Sequence, residues 1–252
     1  MGPMSESTPM ADPVEEGHRV VEAARDAGLT VRLIGGTAIR HHSETARVEP
    51  FDREYRDVDF VGVREDRKAV IDLMTDLGYE ENVQINKMHR YRLEFYDETN
   101  ERKADYIIDR FEFCHAWDLR DRIGLDDPTL PIEDLLLSKL QIVEISDRDM
   151  RDSIAMLNDH PVEAGDDLER IDPEYVSDLC SDDWGLYKTI TMNLDRVETH
   201  VENHEYPIDE AAVVTRIETL RSAIEERPKS IGWKLRSVIG ERKQWYKKPE
   251  LT

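Results

Sequence analysis

Two short patterns between residues 33 and 60 limit what this chain can become. The first, LIGGTAIR at 33–40, ends an apolar strand over 31–34 in the pair Gly35-Gly36 and starts a helix at Thr37. The second, RDVDFVGV at 56–63, is a strand carrying two acids two residues apart. Strand side chains alternate between faces, so Asp57 and Asp59 share one face while Val58 and Phe60 occupy the other. Two like charges on one surface repel, and the pair persists most readily where a divalent cation or a buried proton compensates it. Hard oxygen ligands favour Mg²⁺ or Mn²⁺ over zinc. Glycine lets backbone N–H groups approach a phosphate closely, and a helix N-terminus behind it adds partial positive charge. Phosphates beside a hard metal ion suggest a nucleotide. The competing reading of Asp57 and Asp59, a solvated strand edge, has weight in a chain so rich in acids.

Periodicity orders the rest of the chain. A helix starts at Pro13, lines up Val14, Val20, Val21 and Ala24, and stops at Gly28. The segment 41–55 has no period and reads as a loop, with His41 and His42 as loop residues and not metal ligands. A helix over 64–77 closes at Gly78. Tyr91, Leu93 and Phe95 alternate with Arg90, Arg92, Glu94 and Tyr96 in a half-buried strand, and the turn-rich 97–100 leads into a second strand over 102–108. There Ala104, Tyr106 and Ile108 share one face and Asp105 with Ile107 the other. Asp105 is therefore either an edge-strand charge or a functional acid on an interior strand. Residues 117–125 read as a connector. A helix over 131–145 follows, then Ser146 as an N-cap with Asp149 as its box partner, and a helix over 147–157. The polar stretch 163–170 reads as a linker. Beyond it lie helices over 173–180, 184–201, 208–226 and 230–246. The expected fold is α/β, a small mixed sheet with flanking helices over 13–160, followed by a helical bundle over 170–248.

The order strand, GG-T, helix, loop, D-x-D resembles the polymerase-beta-type nucleotidyltransferase superfamily, in particular its AbiEii-like and uncharacterised small-protein branches. The segment LPIEDLLLSKLQ at 130–141 followed by RDMRD at 148–152 is also similar to the AbiEii-like pattern. The likeness runs from Val31 to about Leu157. It implies a third carboxylate on a later strand, for which Asp105 in KADYIID stands in place, with Asp109 as its rival. It also implies that Lys139 reaches nucleotide phosphates, where the bland reading is a snorkelling lysine. Asp152, which has no capping duty, is the better candidate for a further functional acid. The expectation is a Mg²⁺- or Mn²⁺-dependent enzyme that moves an NMP from an NTP to an acceptor hydroxyl of RNA or a small molecule, releasing pyrophosphate. Asp57, Asp59 and Asp105 would hold the metals, and Gly35, Gly36 and Thr37 would cradle the phosphates with Arg40 neutralising charge there. Two alternatives remain open, a nucleotide-binding module without turnover and the toxin of a toxin-antitoxin pair with an antitoxin partner.

Composition bounds these readings. A formal charge of −22 over 252 residues, from 56 acids spread along the chain, reads as a halophile's solvated surface. Cys114 and Cys180 have no zinc-like spacing and read as reduced thiols of a cytoplasmic protein. No apolar run is long enough for a membrane helix, and no G-x-S-x-G, Walker, G-x-G-x-x-G or H-E-x-x-H pattern occurs. Residues 1–12 are expected to lack regular structure, with Met1-Gly2-Pro3 reading as a tag remnant. The charge balance reverses at the end of the chain, where Arg227, Lys229, Lys234, Arg236, Arg242, Lys243, Lys247 and Lys248 face the single acid Glu241. That segment either docks on the protein's own acidic surface or contacts a polyanion such as RNA.

Overall fold

The computed structural model describes residues 8–165 and 167–249, which form two compact units. The expected tag remnant at 1–3 lies outside the described residues, as does most of the stretch expected to lack structure. The first unit gathers the chain up to residue 41, then 54–111 and 118–131; the second gathers 42–53, 112–117 and everything from 132. A mixed α/β fold with a small mixed sheet and flanking helices is present, as the periodicities predict.

The first unit opens with α1 (Pro13–Asp26), capped by the Asp12 side chain on the N–H groups of Val14 and Glu15. Next come β1 (Val31–Ile34), α2 (Gly35–His42), β2 (Asp57–Gly62), α3 (Arg67–Asp76), the two-residue β3 (Glu80–Glu81) and α4 (Val83–Met88). The strands β4 (Arg92–Asp97) and β5 (Arg102–Ile108) form the expected hairpin, followed by the short β6 (Arg110–Glu112) and β7 (Ala116–Asp118). Inside the hairpin turn Asp97 accepts from the N–H groups of Thr99 and Asn100 and from the buried Arg102 guanidinium. The five-stranded sheet has the order β1-β2-β5-β4-β3. Only β2 and β5 run parallel; the other neighbours are antiparallel.

Alternation divides this sheet into a dry face and a charged one. Val58, Phe60, Leu93, Phe95, Ala104, Tyr106 and Ile108 are buried, and α1 and α3 pack beside the sheet with Val20, Val21, Ala24, Val70 and Met74 also buried. Asp57, Asp59, Arg92, Glu94, Lys103 and Asp105 lie on the opposite face, half-buried or exposed. Asp105 therefore sits on an interior strand, flanked on both sides.

Gly62 at the end of β2 leaves room for the Tyr106 phenol. A Cβ there would lie 1.8 Å from the Tyr106 hydroxyl and 2.6 Å from the Thr30 carbonyl. Gly62→Ala is accordingly expected to lower stability by about 1–3 kcal/mol. The Tyr106 hydroxyl is buried without a hydrogen-bond partner, so Tyr106→Phe alone should be nearly neutral and should recover part of the loss in the double variant. Urea unfolding midpoints of the four proteins check this, and strictly additive losses would refute the contact.

The second unit is helical: α5 (Ile132–Leu140), α6 (Asp147–Asp159), α7 (Pro173–Asp182), α8 (Trp184–Asn203), α9 (Glu210–Glu226) and α10 (Ile231–Ile239). Buried Leu136, Leu140, Ile154, Leu157, Ile190, Leu194, Val197, Ile217, Leu220 and Ile224 make its core. Several boundaries differ from expectation. The helix expected over 131–145 stops at Leu140, because Asn193 of α8 donates to the carbonyls of Leu140 and Ile142, both at 2.7 Å, and ends the ladder. α5 and α6 pack against α8 and α9, so the chain divides before α5 and not at 163–170. Part of the supposed loop belongs to this unit as well: Phe51 is buried and packs at a tilt against Tyr206, 4.8 Å between centroids, and Thr45 bonds Asp159. Ser146 caps α6 through the Asp149 N–H, as the pattern predicts.

The last helix ends at Ile239 instead of 246, where Gly240 takes φ +57°. Its flanks lie against the second unit: Lys188 pairs with Glu241 at 2.7 Å, Trp245 donates to Thr189 at 3.1 Å, and the Lys247 N–H bonds the Cys114 carbonyl at 2.9 Å. Among the described residues no helix is long and apolar enough to cross a membrane.

Candidate active site

The charged face of the sheet is ordered by register. Asp59 of β2 is the cross-strand partner of Asp105 on β5, and Asp105 is that of Glu94 on β4. Adjacent strands lie about 4.8 Å apart, so three carboxylates stand side by side in one row. Asp57 stands in the next row, opposite Lys103.

The glycine turn meets this row directly. Ile34, the last residue of β1, pairs with Asp59, and Gly35 follows with φ +76°. A Cβ on Gly35 would lie 2.5 Å from Asp59 Oδ2. Position 35 thus excludes side chains twice, by its left-handed backbone and by the carboxylate against it. α2 begins here, and the first turn of a helix leaves its N–H groups without intrahelical partners, so Gly35 and Gly36 carry donors beside Asp59. Thr37 is 1% exposed and its hydroxyl is buried without a hydrogen-bond partner; the side chain lies inside the unit. Arg40, on the same helix, lies over the Tyr55 ring at 5.8 Å.

Asp105 is held by neighbours that the sequence did not single out. Arg92 donates to Asp105 Oδ1 through both Nε (3.0 Å) and Nη2 (2.8 Å), and reaches Glu94 at 3.3 Å. Lys103 bonds Glu94 at 2.8 Å and lies 3.7 Å from Asp105 Oδ2. Burial alone would lift the Glu94 carboxyl, but hydrogen bonds from Lys103 and Asn82, with the charges of Lys103 and Arg92, hold it below its ordinary range. Two cations and two acids thus interlock across β4 and β5. Their alternation was visible in the sequence, but which residues of the two strands stand opposite was not. Among the described residues, no three His, Cys, Asp or Glu side chains converge closely enough to hold a metal ion as they stand.

Asp109, the rival third acid, is bound elsewhere. It takes φ +63° beyond β5 and accepts from the Arg64 N–H at 2.9 Å and Arg64 Nε at 3.0 Å.

Lys139 and Asp152 belong to the second unit, where the structure brings them together. Lys139 Nζ lies 2.9 Å from Asp152 and 3.0 Å from Asp149, and Arg53 pairs with Asp152 at 3.0 Å. Burial pulls the Lys139 ammonium down, yet Asp152 and Asp149 outweigh it and hold it above its ordinary value. Burial likewise opposes the Asp149 charge, and Lys139 with Ser146 reverses that, keeping the carboxyl below its usual range. This cluster ties α5 to α6.

No protein-family model matches the chain, and no curated protein does. Two solved structures show a distant likeness. The antibiotic-resistance factor ANT(2'')-Ia is 15% identical, with 91% of this chain and 95% of that chain covered at a TM-score of 0.34. A STING-associated CdnE c-di-GMP synthase from Capnocytophaga granulosa is 11% identical, with 88% and 83% covered at a TM-score of 0.30. Both are nucleotidyltransferases, and neither speaks for the AbiEii-like branch. Likenesses this weak carry nothing further about this chain.

Proposed function

We propose that the first unit is the catalytic part of a nucleotidyltransferase that moves an NMP from an NTP to an acceptor hydroxyl. The observation behind this reading is the abutment of Gly35 and Asp59, with Asp59 in register beside Asp105. It sets backbone donors suited to a polyphosphate against a row of hard oxygen ligands. This donor set suits Mg²⁺ or Mn²⁺, which Asp57 and Asp59 would hold, with Asp105 completing the set once its side chain turned from Arg92, since the three do not converge as they stand. Such a cation, when bound, neutralises charge on the triphosphate and on the leaving group.

The chain's own residues do the rest. Gly35 and Gly36 direct N–H groups at the phosphates, and Arg40, further along the same helix, adds positive charge. The acceptor oxygen forms a bond to the α-phosphorus, the bond from that phosphorus to the bridging oxygen breaks, and pyrophosphate departs with the electron pair. Arg92 grips Asp105 by Oδ1, and Oδ2, 3.7 Å from the Lys103 ammonium, takes the acceptor's proton. Lys139 and Asp152 have no step in this scheme; their ion cluster is structural.

Incubation with α-labelled NTP, Mg²⁺ and candidate acceptors tests the reading. Label is expected to move to the acceptor with equimolar pyrophosphate, and chelation of the metal should abolish both. A binding module without turnover is the second reading, favoured by the grip of Arg92 and Lys103 on Asp105. It would bind NTP with Mg²⁺ and release no pyrophosphate under any acceptor. No observation in the structure favours a toxin role or an antitoxin partner.

A further inference from the structure

The helix α10 turns its apolar side outward. Ile231, Leu235, Val238 and Ile239 recur at helical spacing and form one stripe, and they are 79%, 68%, 80% and 45% exposed. Among the described residues, three of the four most exposed large apolar side chains stand here. The inward side of the helix is already taken: Trp233 packs edge-on against Tyr187, 5.1 Å between centroids, and the Arg236 guanidinium lies over the Trp184 ring at 4.6 Å. Ser230 caps the first turn through the Trp233 N–H, and its own N–H bonds the Ser181 carbonyl at 3.0 Å. Beyond the last turn, Arg236 donates to the carbonyls of Gly240 and Lys243. Held so at both ends, α10 keeps the stripe in water, and contiguous apolar surface of this kind marks an interface.

Charge decides what covers it. Over 227–248 eight basic residues face one acid, a balance of +7, which leaves −29 on the rest of a chain of −22. Lys234, three residues from Ile231 and four from Val238, borders the stripe, and Arg242 and Lys243 follow its C-terminal end. All three are exposed and form no ion pair among the described residues. At the N-terminal end the sign is opposite: Asp182, next to Ser181, is exposed and likewise unpaired among the described residues.

An apolar stripe with an acid at one end and cations at the other is complementary to itself turned end for end. Antiparallel pairing of two such helices lays stripe on stripe and sets Asp182 of each copy against Arg242 and Lys243 of the other, which is the reciprocal contact of a two-fold axis. The two helix dipoles then oppose favourably. A phosphate polyanion would meet the cations but leave the stripe in water.

We propose that α10 is a dimerisation helix, its stripe covered by the same helix of a second copy in antiparallel pairing. The surface belongs to the helical unit and is independent of the nucleotidyl-transfer reading. Four side chains and the charges at their ends make a small interface, so the dissociation constant is expected at about 1–100 µM.

Sedimentation velocity of the full chain over about 1–200 µM tests the pairing, in about 0.15 M salt to screen the long-range repulsion between two copies. A monomer–dimer equilibrium is expected. Leu235→Glu and Val238→Glu should each weaken it at least about a hundredfold, because every dimer loses two buried apolar side chains and gains two buried carboxylates. Neither should shift the melting temperature of the monomer, where both side chains are exposed. Asp182→Arg should weaken the dimer several-fold by setting like charges opposite each other, and combining it with Arg242→Asp and Lys243→Asp should recover the loss. A chain that stays monomeric throughout, or a dimer that withstands both glutamate variants, overturns the proposal, and a dimer indifferent to Asp182→Arg overturns the antiparallel pairing. A monomer that instead cosediments with phosphatidylglycerol vesicles, and loses this in Leu235→Glu, makes the occupant a lipid surface and not a second copy.

Discussion

Asp59→Asn is expected to reduce nucleotidyl transfer by about a thousandfold or more, the order lost when one preorganised charge-stabilising group is removed, while leaving the thermal transition nearly unchanged. The two side chains have the same shape, and Asp59 is half-buried beside Gly35, so packing survives the change. What disappears is one negative charge from the pair that would hold the divalent cation, in a row where the neighbouring Asp105 is already engaged by Arg92. The loss should appear in kcat more than in KM for NTP, because the charge is needed most where the leaving group develops its own. Single-turnover transfer of α-label, with a thermal melt of the same sample, checks it. Transfer at the wild-type rate would remove Asp59 from the chemistry.

A second large effect is expected in the helical unit, on stability instead of turnover. Lys139→Met leaves Asp149 and Asp152 facing each other with only Arg53 to answer Asp152, and should cost about 3–5 kcal/mol, the usual consequence of stripping one partner from a buried ion cluster. The matching fall in melting temperature is roughly 10 °C for a chain of this size. The pH dependence has a definite sign. The Asp149 carboxyl is depressed in the folded state, so its stabilisation is present above its unfolded value of about 3.9 and is lost as pH falls through the lower folded value. The Lys139 ammonium is raised, so its stabilisation is present below its unfolded value of about 10.4 and fades only as pH rises through the higher folded value. The gap between Lys139→Met and wild type should therefore be widest near neutrality and shrink in acid. A gap that did not change between pH 7 and pH 3 would show that Lys139 stabilises by packing its stem and not by its charge.

Local chemistry was legible because it repeats at short range. The two-residue period placed Asp57 and Asp59 on one face and set Asp105 opposite Ala104, Tyr106 and Ile108. The Ser146 cap was readable from one side chain three residues ahead of its acceptor's partner. The two-residue β3 and the six-residue α4, capped by Asn82, were missed because neither is long enough to repeat the period that would announce it.

By itself, then, the sequence determined which residues share a face, where the chain turns at Gly35, and that an acid interrupts the apolar β5. Only the tertiary structure decided which acids meet. Register between β2 and β5 is a pairing of strands far apart in the chain, and one step of slippage would move every side chain to the other face. Nothing local to either strand records that Asp59 stands beside Asp105. Nor could it record that Arg92 would close on Asp105, or that Lys139 would find Asp149 and Asp152 on the next helix. Charged side chains in a chain with 56 acids have many candidate partners, and long-range packing selects among them.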